Sequence, residues 1–354
     1  MKTRALSIVF VIALALALFA GCGGTSESSA APESTAPESS AVESSVPESA
    51  APEGWVPTKD IELTVGNSAG GGADLFARKV VEIIQQYNMC PVNINVVNKP
   101  GSSHVVGFTY LVETGGDYNI NVVSSSFYSQ PVAGNSPLTF DDFSYVALMA
   151  KDPSLLVASV DSGFETLDDV ITYAKAHPGE LVYAGSSAIS DDAILWAQLC
   201  DTCDIDITYV AMESGADVLA NVLGGHVQLG AMSPSEIGDN FAAGKLKAIA
   251  IAADERFDQF GLQDTPTFTE LGYEINHQQH RGFVMAANAS PEAVKYYSDL
   301  MEQVYNTDEW QQYMKDNCMT GFYMNCDDYK AYNQTLVDIY TKYIAIVKEK
   351  QAAA

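Results

Sequence analysis

The sequence predicts an α/β fold built as two lobes, and two observations lead to that prediction. Segments in which apolar and polar residues alternate, as in strands, are separated by segments with apolar residues on one helical stripe. Strands and helices that alternate at this spacing are typical of α/β sheets. About 300 of the 354 residues follow a low-complexity N-terminal stretch, and a chain of that length usually divides into two cores.

The first predicted strand and helix show the pattern most clearly. Ile61, Leu63 and Val65 alternate with polar residues, and the helix that follows carries one apolar stripe. That stripe consists of Phe76, Val80, Ile83, Ile84 and Tyr87. Further strands are predicted at residues 93–97, 120–123, 145–148, 155–160, 181–184, 206–210, 227–231, 246–252 and 282–286. Helices are predicted at residues 102–113, 167–176, 191–199, 216–223, 291–305 and 327–348. Because ligands of such sheets bind beyond the carboxyl ends of the strands, a site is expected on the strand-to-helix loops.

Residues 1–21 have the features of an export signal. Lys2 and Arg4 precede an apolar run, residues 6–20, that is shorter than the ~20 residues of a membrane-spanning helix. The run ends in small residues before Cys22, which resembles the lipobox of bacterial lipoproteins, although Phe19 stands where leucine is usual. We therefore expect Cys22 to be lipidated and to hold the protein on the outer face of the bacterial cell membrane. The alternative is an ordinary signal peptide followed by an unrelated cysteine.

The segment after Cys22 has the composition of a tether. Residues 25–53 contain only Ser, Ala, Glu, Pro, Thr and Val, and a glutamate recurs every five residues from Glu33 to Glu53. Such a segment has no large apolar side chain whose burial would offset the entropy lost on ordering. We expect residues 22–54 to be a disordered, self-repelling tether between the lipid and the folded part.

The folded part is strongly acidic. The whole chain has a formal net charge of −27, and the residues from 54 onward carry 39 acidic against 16 basic side chains, a net charge of −23. This charge repels a phosphate backbone, so nucleic acid is not expected as a partner. The acids are spread along the sequence rather than grouped, which is typical of a solvated acidic surface.

Five cysteines remain besides the candidate anchor, and they are Cys90, Cys200, Cys203, Cys318 and Cys326. The number is odd, so at least one thiol is free unless it pairs with another chain. The last two are close enough in sequence to close a small loop. The CxxC at residues 200–203 has no second pair nearby, so it does not indicate a redox or zinc site.

Two strand-to-helix loops carry residues suited to holding an anion. The first, residues 67–74, has three consecutive glycines, which let the backbone approach a ligand, and it enters a predicted helix N-terminus. The second, residues 185–192, supplies serine hydroxyls and first-turn amides. Neither loop contains Lys or Arg, so neutral donors and helix dipoles are expected to hold the anion. The alternative is that these glycines and serines only form turns and helix caps.

Two catalytic or metal-binding alternatives also arise from the sequence. Residues 66–70 fit G-x-S-x-G, which allows a serine hydrolase with Ser68 as nucleophile and His277 or His280 as base. This pattern follows the first predicted strand, where no upstream strand supplies the usual oxyanion hole, so we do not expect an enzyme. The two histidines also form a candidate metal pair, but no third ligand is evident. No Walker or dinucleotide-binding pattern occurs, and neither a cofactor nor a metal is expected.

Seven short motifs occur in order along the folded part. They are residues 55–61 (WVPTKDI), 68–74 (SAGGGAD), 96–101 (VVNKPG), 221–227 (NVLGGHV), 243–248 (AGKLKA), 264–272 (DTPTFTELG) and 281–283 (RGF). Each motif is weak alone, but their order resembles that of the substrate-binding receptors of the tripartite tricarboxylate transporter family, the Bug-type receptors. The sequence departs from the family at Gly66, Asn67 and residues 102–104, which leaves the identity of the ligand open.

This resemblance implies a fold, a partner and a mechanism. The fold is periplasmic-binding-protein-like, a Venus flytrap with its ligand cleft between lobe 1 (residues 55–156 and 282–350) and lobe 2 (residues 157–281). Lobe closure around a small carboxylate, such as a di- or tricarboxylate, would precede delivery to the integral membrane permease subunits of the transporter. A receptor of the same fold for a neutral or cationic solute is the alternative.

The resemblance also implies which residues contact the ligand. Those on the two loops are Ser68, Ala69, Gly70, Gly71 and Asp74, together with Gly185, Ser186, Ser187 and Ser190. Two further cleft segments contribute Ser125 and Ser126, and Ser233 and Ser235. Arg281 lies beside these segments in a family motif, and we expect it either to pair with a distal carboxylate of the ligand or to form a salt bridge with a surface acid.

Overall fold

The computed structural model describes residues 54–353, so the predicted signal, Cys22 and nearly all of the tether lie outside the described residues. The strands are β1 (Ile61–Val65), β2 (Ile94–Asn98), β3 (Asn119–Val123), β4 (Phe143–Asp152), β5 (Ser154–Ser159), β6 (Val182–Gly185), β7 (Thr208–Ala211), β8 (Leu229–Met232), β9 (Leu246–Ala252), β10 (Gln279–Ala286) and β11 (Thr320–Met324). The helices are α1 (Gly72–Gln86), α2 (Val105–Thr114), α3 (Ser125–Ala133), α4 (Leu167–Ala176), α5 (Asp191–Cys203), α6 (Gly215–Leu223), α7 (Pro234–Ala242), α8 (Pro291–Tyr305), α9 (Asp308–Asp316) and α10 (Cys326–Ala353).

The strands form two separate mixed sheets, each covered by helices. The first sheet has the order β11-β4-β10-β3-β1-β2, in which β1 runs parallel to both β2 and β3, and β10 runs antiparallel to β3 and β4. The second has the order β7-β6-β8-β5-β9, with β6 parallel to its two neighbours and β5 antiparallel to its own. The predicted α/β, two-lobed architecture is confirmed.

The chain passes between the sheets at two places close to the predicted ones. It leaves the first sheet at Asp152 and enters the second at Ser154, with Pro153 between them. It returns after β9 and re-enters the first sheet at Gln279. The predicted boundaries after residues 156 and 281 therefore fall within strands of these two sheets.

The C-terminal helix joins the two lobes rather than belonging to one. Ile344 of α10 is buried with side chains of α3 and β4 in a core of the first lobe. Val347, less than one turn later, is buried in the core of the second lobe with Trp196. The prediction that residues up to 350 belong to lobe 1 alone therefore misses the second contact of this helix.

Every predicted strand and helix has a counterpart, but four elements had no specific prediction. They are α3, α7, α9 and β11. The five cysteines at positions 90 to 326 are all free, so the loop between Cys318 and Cys326 is not closed by a disulfide. None of the helices among the described residues is both long and apolar enough to cross a membrane.

Candidate functional site

A cavity of about 470 Å³ lies where the two sheets meet. Its walls come from the start of α1, the crossover at residues 152–154, the first turns of α5 and α7, the start of β10, and the connection from α9 to β11. Five of the residues expected to contact a ligand line it, namely Gly70, Gly71, Ser233, Ser235 and Arg281. The site that the sequence places on several separate loops is therefore partly assembled in one cavity.

The loop between β1 and α1, residues 66–71, is called the glycine loop here. Gly70 has a φ of +85°, a left-handed conformation that favours glycine. Its N–H donates to Asp74 Oδ2 at 2.8 Å, so the predicted ligand residue Asp74 instead supports the loop from behind. Asn98 of β2 completes this support, since its side-chain amide donates to Asn67 O and to Asp74 Oδ1 at 3.0 and 2.9 Å.

Asp74 is ionised although its side chain is buried. Burial opposes ionisation, but the hydrogen bonds from Arg78, from Gly70 N–H and from Asn98 outweigh it and lower the pKa of Asp74 to about 2. Its oxygens are therefore fully engaged inside the lobe, and this charge does not face the cavity.

The first amides of α1 are open donors. The N–H groups of Gly72 and Ala73 have no hydrogen-bond partner among residues 54–353, as is usual at the start of a helix without a side-chain cap. Gly72 lines the cavity. A Cβ atom at Gly72 would lie 3.1 Å from Arg281 Nη2 and 3.8 Å from Nη1, so the guanidinium stands next to Gly72.

Arg281 is buried and already paired. Both Nε, at 2.9 Å, and Nη2 donate to Asp152 Oδ2, and the two side chains are about nine-tenths buried. Nη1 has no hydrogen-bond partner among the described residues and is left for a ligand. The positive charge also acts on His104, whose pKa falls to about 4, mainly through burial and then through Arg281. The acid that pairs with Arg281 therefore lies in the cavity wall, not on the outer surface.

The loop between β6 and α5, residues 186–190, is called the serine loop here. Its Ser186 donates both N–H and Oγ–H to Asp192 Oδ2, at 2.7 and 2.5 Å. The donors that the sequence assigns to a ligand carboxylate are thus occupied by a carboxylate of the chain itself. Asp192 lines the cavity, and its Oδ1 accepts no hydrogen bond from the described residues.

The start of α7 repeats this arrangement. Ser233 donates its N–H and Oγ–H to Glu236 Oε2 at 2.8 and 2.9 Å, and its Oγ also lies 3.1 Å from Ser235 Oγ. Oε1 of Glu236 has no such partner within the described part of the chain, and the residue lines the cavity. Each loop of the second lobe that faces the cavity therefore presents a carboxylate to it.

A buried polar network closes one end of the cavity. Asp191 Oδ1 lies 2.7 Å from His277 Nε2 and accepts from Tyr340 Oη at 2.8 Å, while Oδ2 accepts from Gln279 Nε2 at 3.2 Å. Burial opposes the charge of Asp191, but the hydrogen bonds and the charge of His277 lower its pKa. Gln279 also donates to Ser125 Oγ at 3.1 Å, so the network ties helix starts in both lobes to β10 and to α10.

The other expected ligand residues do not line the cavity. They are Ser68, Ala69, Asp74, Ser125, Ser126, Gly185, Ser186, Ser187 and Ser190. Some have structural partners instead: Ser190 caps α5 by accepting from Ala193 N, and Ser187 O accepts from Tyr209 Oη at 2.6 Å. These residues shape the loops that carry the lining residues.

The residues of the two alternative sites, Ser68, His277 and His280, have the following surroundings among the described residues. Ser68 is exposed and makes no side-chain hydrogen bond to a histidine among residues 54–353. His277 is bonded to Asp191, and both ring nitrogens of the buried His280 have no partner in this part of the chain. No group of three or more metal-binding side chains occurs in the described region.

The sequence also matches known proteins. The sequence model of the family described as "Tripartite tricarboxylate transporter family receptor" matches residues 76–351. The chain belongs to this family. A relative from Cupriavidus necator, "UPF0065 protein in gbd 5'region", is 25% identical over 280 residues, which cover 78% of this chain and 84% of that protein.

Solved structures give the same fold. A TctC solute-binding protein from Polaromonas, solved with no ligand, superposes with a TM-score of 0.69 at 22% identity, covering 83% of this chain and 99% of that one. A Rhodopseudomonas palustris protein solved with adipate gives a TM-score of 0.71 at 19% identity, covering 82% and 98% of the two chains. MatC from the same organism, with bound malate, gives 0.64 at 19% identity, covering 82% and 99%. This family receptor therefore has the two-lobed fold of these solute-binding proteins.

Sequence reasoning missed the acids of the cavity wall. Asp152, Asp192 and Glu236 look like ordinary surface or helix-start residues in the sequence, and their convergence depends on how the lobes pack. Tyr313, Asn317 and Met319 also line the cavity, and they were missed because α9 and β11 were not predicted. The one available signal was Pro153 between two apolar strands, which marks the crossover.

Proposed function

We propose that this receptor captures a small organic acid outside the cell and delivers it to the membrane permease of a tripartite tricarboxylate-type transporter. Support comes from membership of the receptor family, from the cavity between the lobes, and from the adipate and malate bound to structural neighbours. Closing of the lobes on the solute would create the form that the permease recognises. The protein acts in this proposal as a binding protein, not as an enzyme.

One observation carries the proposal. Gly72, whose N–H group is free, lines the cavity beside the guanidinium of Arg281, whose Nη1 is open. A free amide at a helix start and a guanidinium edge together supply directed donors and positive potential, which is what a carboxylate requires. Of the residues expected from the sequence, Gly70, Gly71 and Arg281 belong to this carboxylate site. Ser233 and Ser235 face the opposite wall.

The proposal gives supporting roles to the expected residues outside the cavity lining. Asp74 fixes the glycine loop through Gly70, and Ser186 holds Asp192 in place. Ser125 orients Gln279, which lines the cavity. Mutating these residues would then disturb ligand contacts indirectly.

The direct test is calorimetry on the purified protein with short mono-, di- and tricarboxylates. We expect saturable binding of at least one acid to a single site, and a ligand at ~100 times its dissociation constant should raise the free energy of unfolding by about 2.7 kcal/mol. Gly72→Val should weaken that binding about 100-fold. Binding of sugars or other uncharged solutes, with no carboxylate bound, would overturn the proposal in favour of a receptor for neutral solutes.

We also propose that the receptor is anchored to the membrane by lipid on Cys22, through the tether up to residue 54. Cys22→Ser should release the protein from the membrane fraction or block its processing. Lys59→Gln, which leaves the candidate lipobox intact, serves as the control. Equal membrane retention of Cys22→Ser and wild type in a fractionation would overturn the lipid anchor without affecting the proposed solute site.

A further inference from the structure

The wall that the second lobe contributes to the cavity is negatively charged. Asp191, Asp192 and Glu236 all line the cavity. Asp191 has both oxygens bonded within the chain, but Asp192 Oδ1 and Glu236 Oε1 each lack a hydrogen-bond partner among the described residues. These two oxygens are open acceptors. A ligand that contacts them would need a hydrogen-bond donor at that end.

The described residues of this wall include no balancing cation. Among the described residues that line the cavity, Arg281 is the only Lys or Arg, and it is bound to Asp152. The pKa of Asp192 is raised to about 6, mainly by burial and also by the nearby charges of Glu236 and Asp191, against the two bonds from Ser186. A second carboxylate of a ligand would meet like charge here, whereas a protonated amine would relieve the repulsion.

The opposite wall provides an independent indication of the ligand. Arg281 is about nine-tenths buried, lines the same cavity, and has no partner for Nη1 in the described part of the chain. Only Nε and Nη2 take part in its pair with Asp152. This open donor, with the free amide of Gly72, favours a negative group at that wall.

From these two walls we infer that the solute is a zwitterion, with a carboxylate at Gly72 and Arg281 and a protonated amine at Asp192 and Glu236. The inference rests on the proposed function, because it assumes the same cavity and the same carboxylate site. It narrows the solute from organic acids in general to amino acids and related amino-carboxylates. A simple di- or tricarboxylate is disfavoured, because its second carboxylate would face Asp192 and Glu236.

The test uses three probes that differ only in their end groups. Calorimetry compares pentanedioate, 5-aminopentanoate and pentane-1,5-diamine, and the comparison is repeated with chains one carbon shorter and one carbon longer and with the matching α-amino acids. We expect an amino-carboxylate to bind about tenfold or more tightly than the diacid of the same length. The diamine should also bind more weakly, since it leaves Arg281 without an anion.

Glu236→Gln assigns the preference to the proposed amine site. Glutamine keeps an oxygen that can accept from Ser233, so the start of α7 is retained. The variant should lose about tenfold in affinity for the amino-carboxylate but not for the diacid. Glu113→Gln, at an exposed glutamate of α2 outside the cavity lining, is the matched control and should change neither affinity.

The possible results separate the inference from the proposed function. Tighter binding of the diacid, or an equal effect of Glu236→Gln on both probes, overturns the zwitterion and leaves an organic-acid receptor in place. If the diamine binds most tightly, both the zwitterion and the proposed organic-acid receptor are wrong. If none of these probes binds while another carboxylate does, the zwitterion is wrong and the proposed function stands.

Discussion

The glycine loop and the serine loop have the same construction but opposite electrostatics. Each follows a strand, each precedes a helix, and each has an aspartate in the first turn of that helix, Asp74 or Asp192. Asp74 turns back to bond Gly70, Arg78 and Asn98, and the amides of Gly72 and Ala73 remain open. Asp192 lines the cavity and occupies the donors of Ser186.

This difference shows that a helix start after a strand does not by itself make an anion site. The direction taken by the first-turn carboxylate decides whether the loop offers donors or an acceptor. In the first lobe, Asn98 and Arg78 draw the carboxylate inward. In the second lobe no cation among the lining residues does so for Asp192, and Glu236 adds a second negative charge. If one wall offers donors and the other offers acceptors, substitutions in the two walls should have different effects on ligand binding.

The largest effect is expected from breaking the ion pair on the glycine-loop side. Arg281→Ala leaves Asp152 charged and buried, so urea denaturation should show the free energy of unfolding reduced by about 3–5 kcal/mol. Lys295→Ala breaks an exposed pair with Asp299 and should cost less than about 1 kcal/mol.

A double variant separates the structural role of Arg281 from its ligand role. Arg281→Gln combined with Asp152→Asn removes both charges, and most of the lost stability should return. Carboxylate binding, measured by calorimetry, should remain lost because no guanidinium faces Gly72. Affinity equal to wild type in the double variant would mean that Arg281 serves only the fold.

Blocking the open amides is expected to have the next largest effect. At Gly72 a Cβ would stand 3.1 Å from Arg281 Nη2, so Gly72→Ala requires a small shift, and Gly72→Val adds two methyl groups at the same place. Calorimetry should show a graded loss of affinity, about tenfold for alanine and about 100-fold for valine. Circular dichroism should remain unchanged, because Gly72 is exposed on the cavity surface. If the alanine and valine variants both bind the ligand as tightly as wild type does, no anion is held at these amides.

Most of the fold and part of the site were predictable from the sequence. The alternation around Ile61 and Leu63 and the stripe of α1 reflect burial on one face, which a local pattern records. The strand β11 was missed because Thr320–Met324 is a short edge strand with no buried position, so no such pattern forms. The short helix α3 was likewise not predicted, and it contains Pro131.

The glycine loop was predictable because its chemistry is local, and the acidic wall was not. Three glycines and a helix start lie within a few residues of one another. Asp152, Asp192 and Glu236 come from three separate segments, and only the packing of the sheets brings them to one cavity. In the sequence they are three of 39 acids in the folded part, so their spread was interpreted as a solvated surface. That the described residues of this wall include no cation follows from the tertiary structure alone.

The acidic wall should be visible in the pH dependence of stability. The folded-state pKa of Asp192 is raised to about 6, above the usual value of an aspartate, so the folded protein binds this proton more tightly than the unfolded chain. The contribution of Asp192 to stability is therefore present below about pH 4 and is lost as the pH rises to about 6. Glu236, Asp191, Tyr183 and Tyr209 are its titratable neighbours, and burial raises the pKa of both tyrosines far above this range.

Asp192→Asn removes that titration and tests it. Urea denaturation at pH 4 and at pH 7 gives the difference in the free energy of unfolding between the variant and wild type. This difference should be about 2 kcal/mol more favourable to the variant at pH 7 than at pH 4. Amino-carboxylate affinity in wild type should fall as the pH drops below about 6, and this pH dependence should be absent in the variant. A stability difference between the two proteins that does not change with pH would contradict a charged wall.

The smallest effect is expected at Ser186, where the comparison between the loops makes its sharpest distinction. If the serine loop held a ligand carboxylate, Ser186→Ala would remove a direct contact and weaken binding of every acid. In the structure the hydroxyl instead donates to Asp192. In the alanine variant, Asp192 would still accept a hydrogen bond from the backbone N–H of residue 186. The variant should therefore lose about 1 kcal/mol of stability and bind a simple monocarboxylate as wild type does.

Because Asp192 loses a bond that favours its charged form in this variant, the pKa of Asp192 should rise. As the pH is lowered, binding that depends on the ligand amine should therefore weaken at a higher pH than in wild type. Calorimetry with a monocarboxylate and an amino-carboxylate across the pH range checks both statements, and a uniform loss for the two ligands would return the serine loop to the role of an anion site.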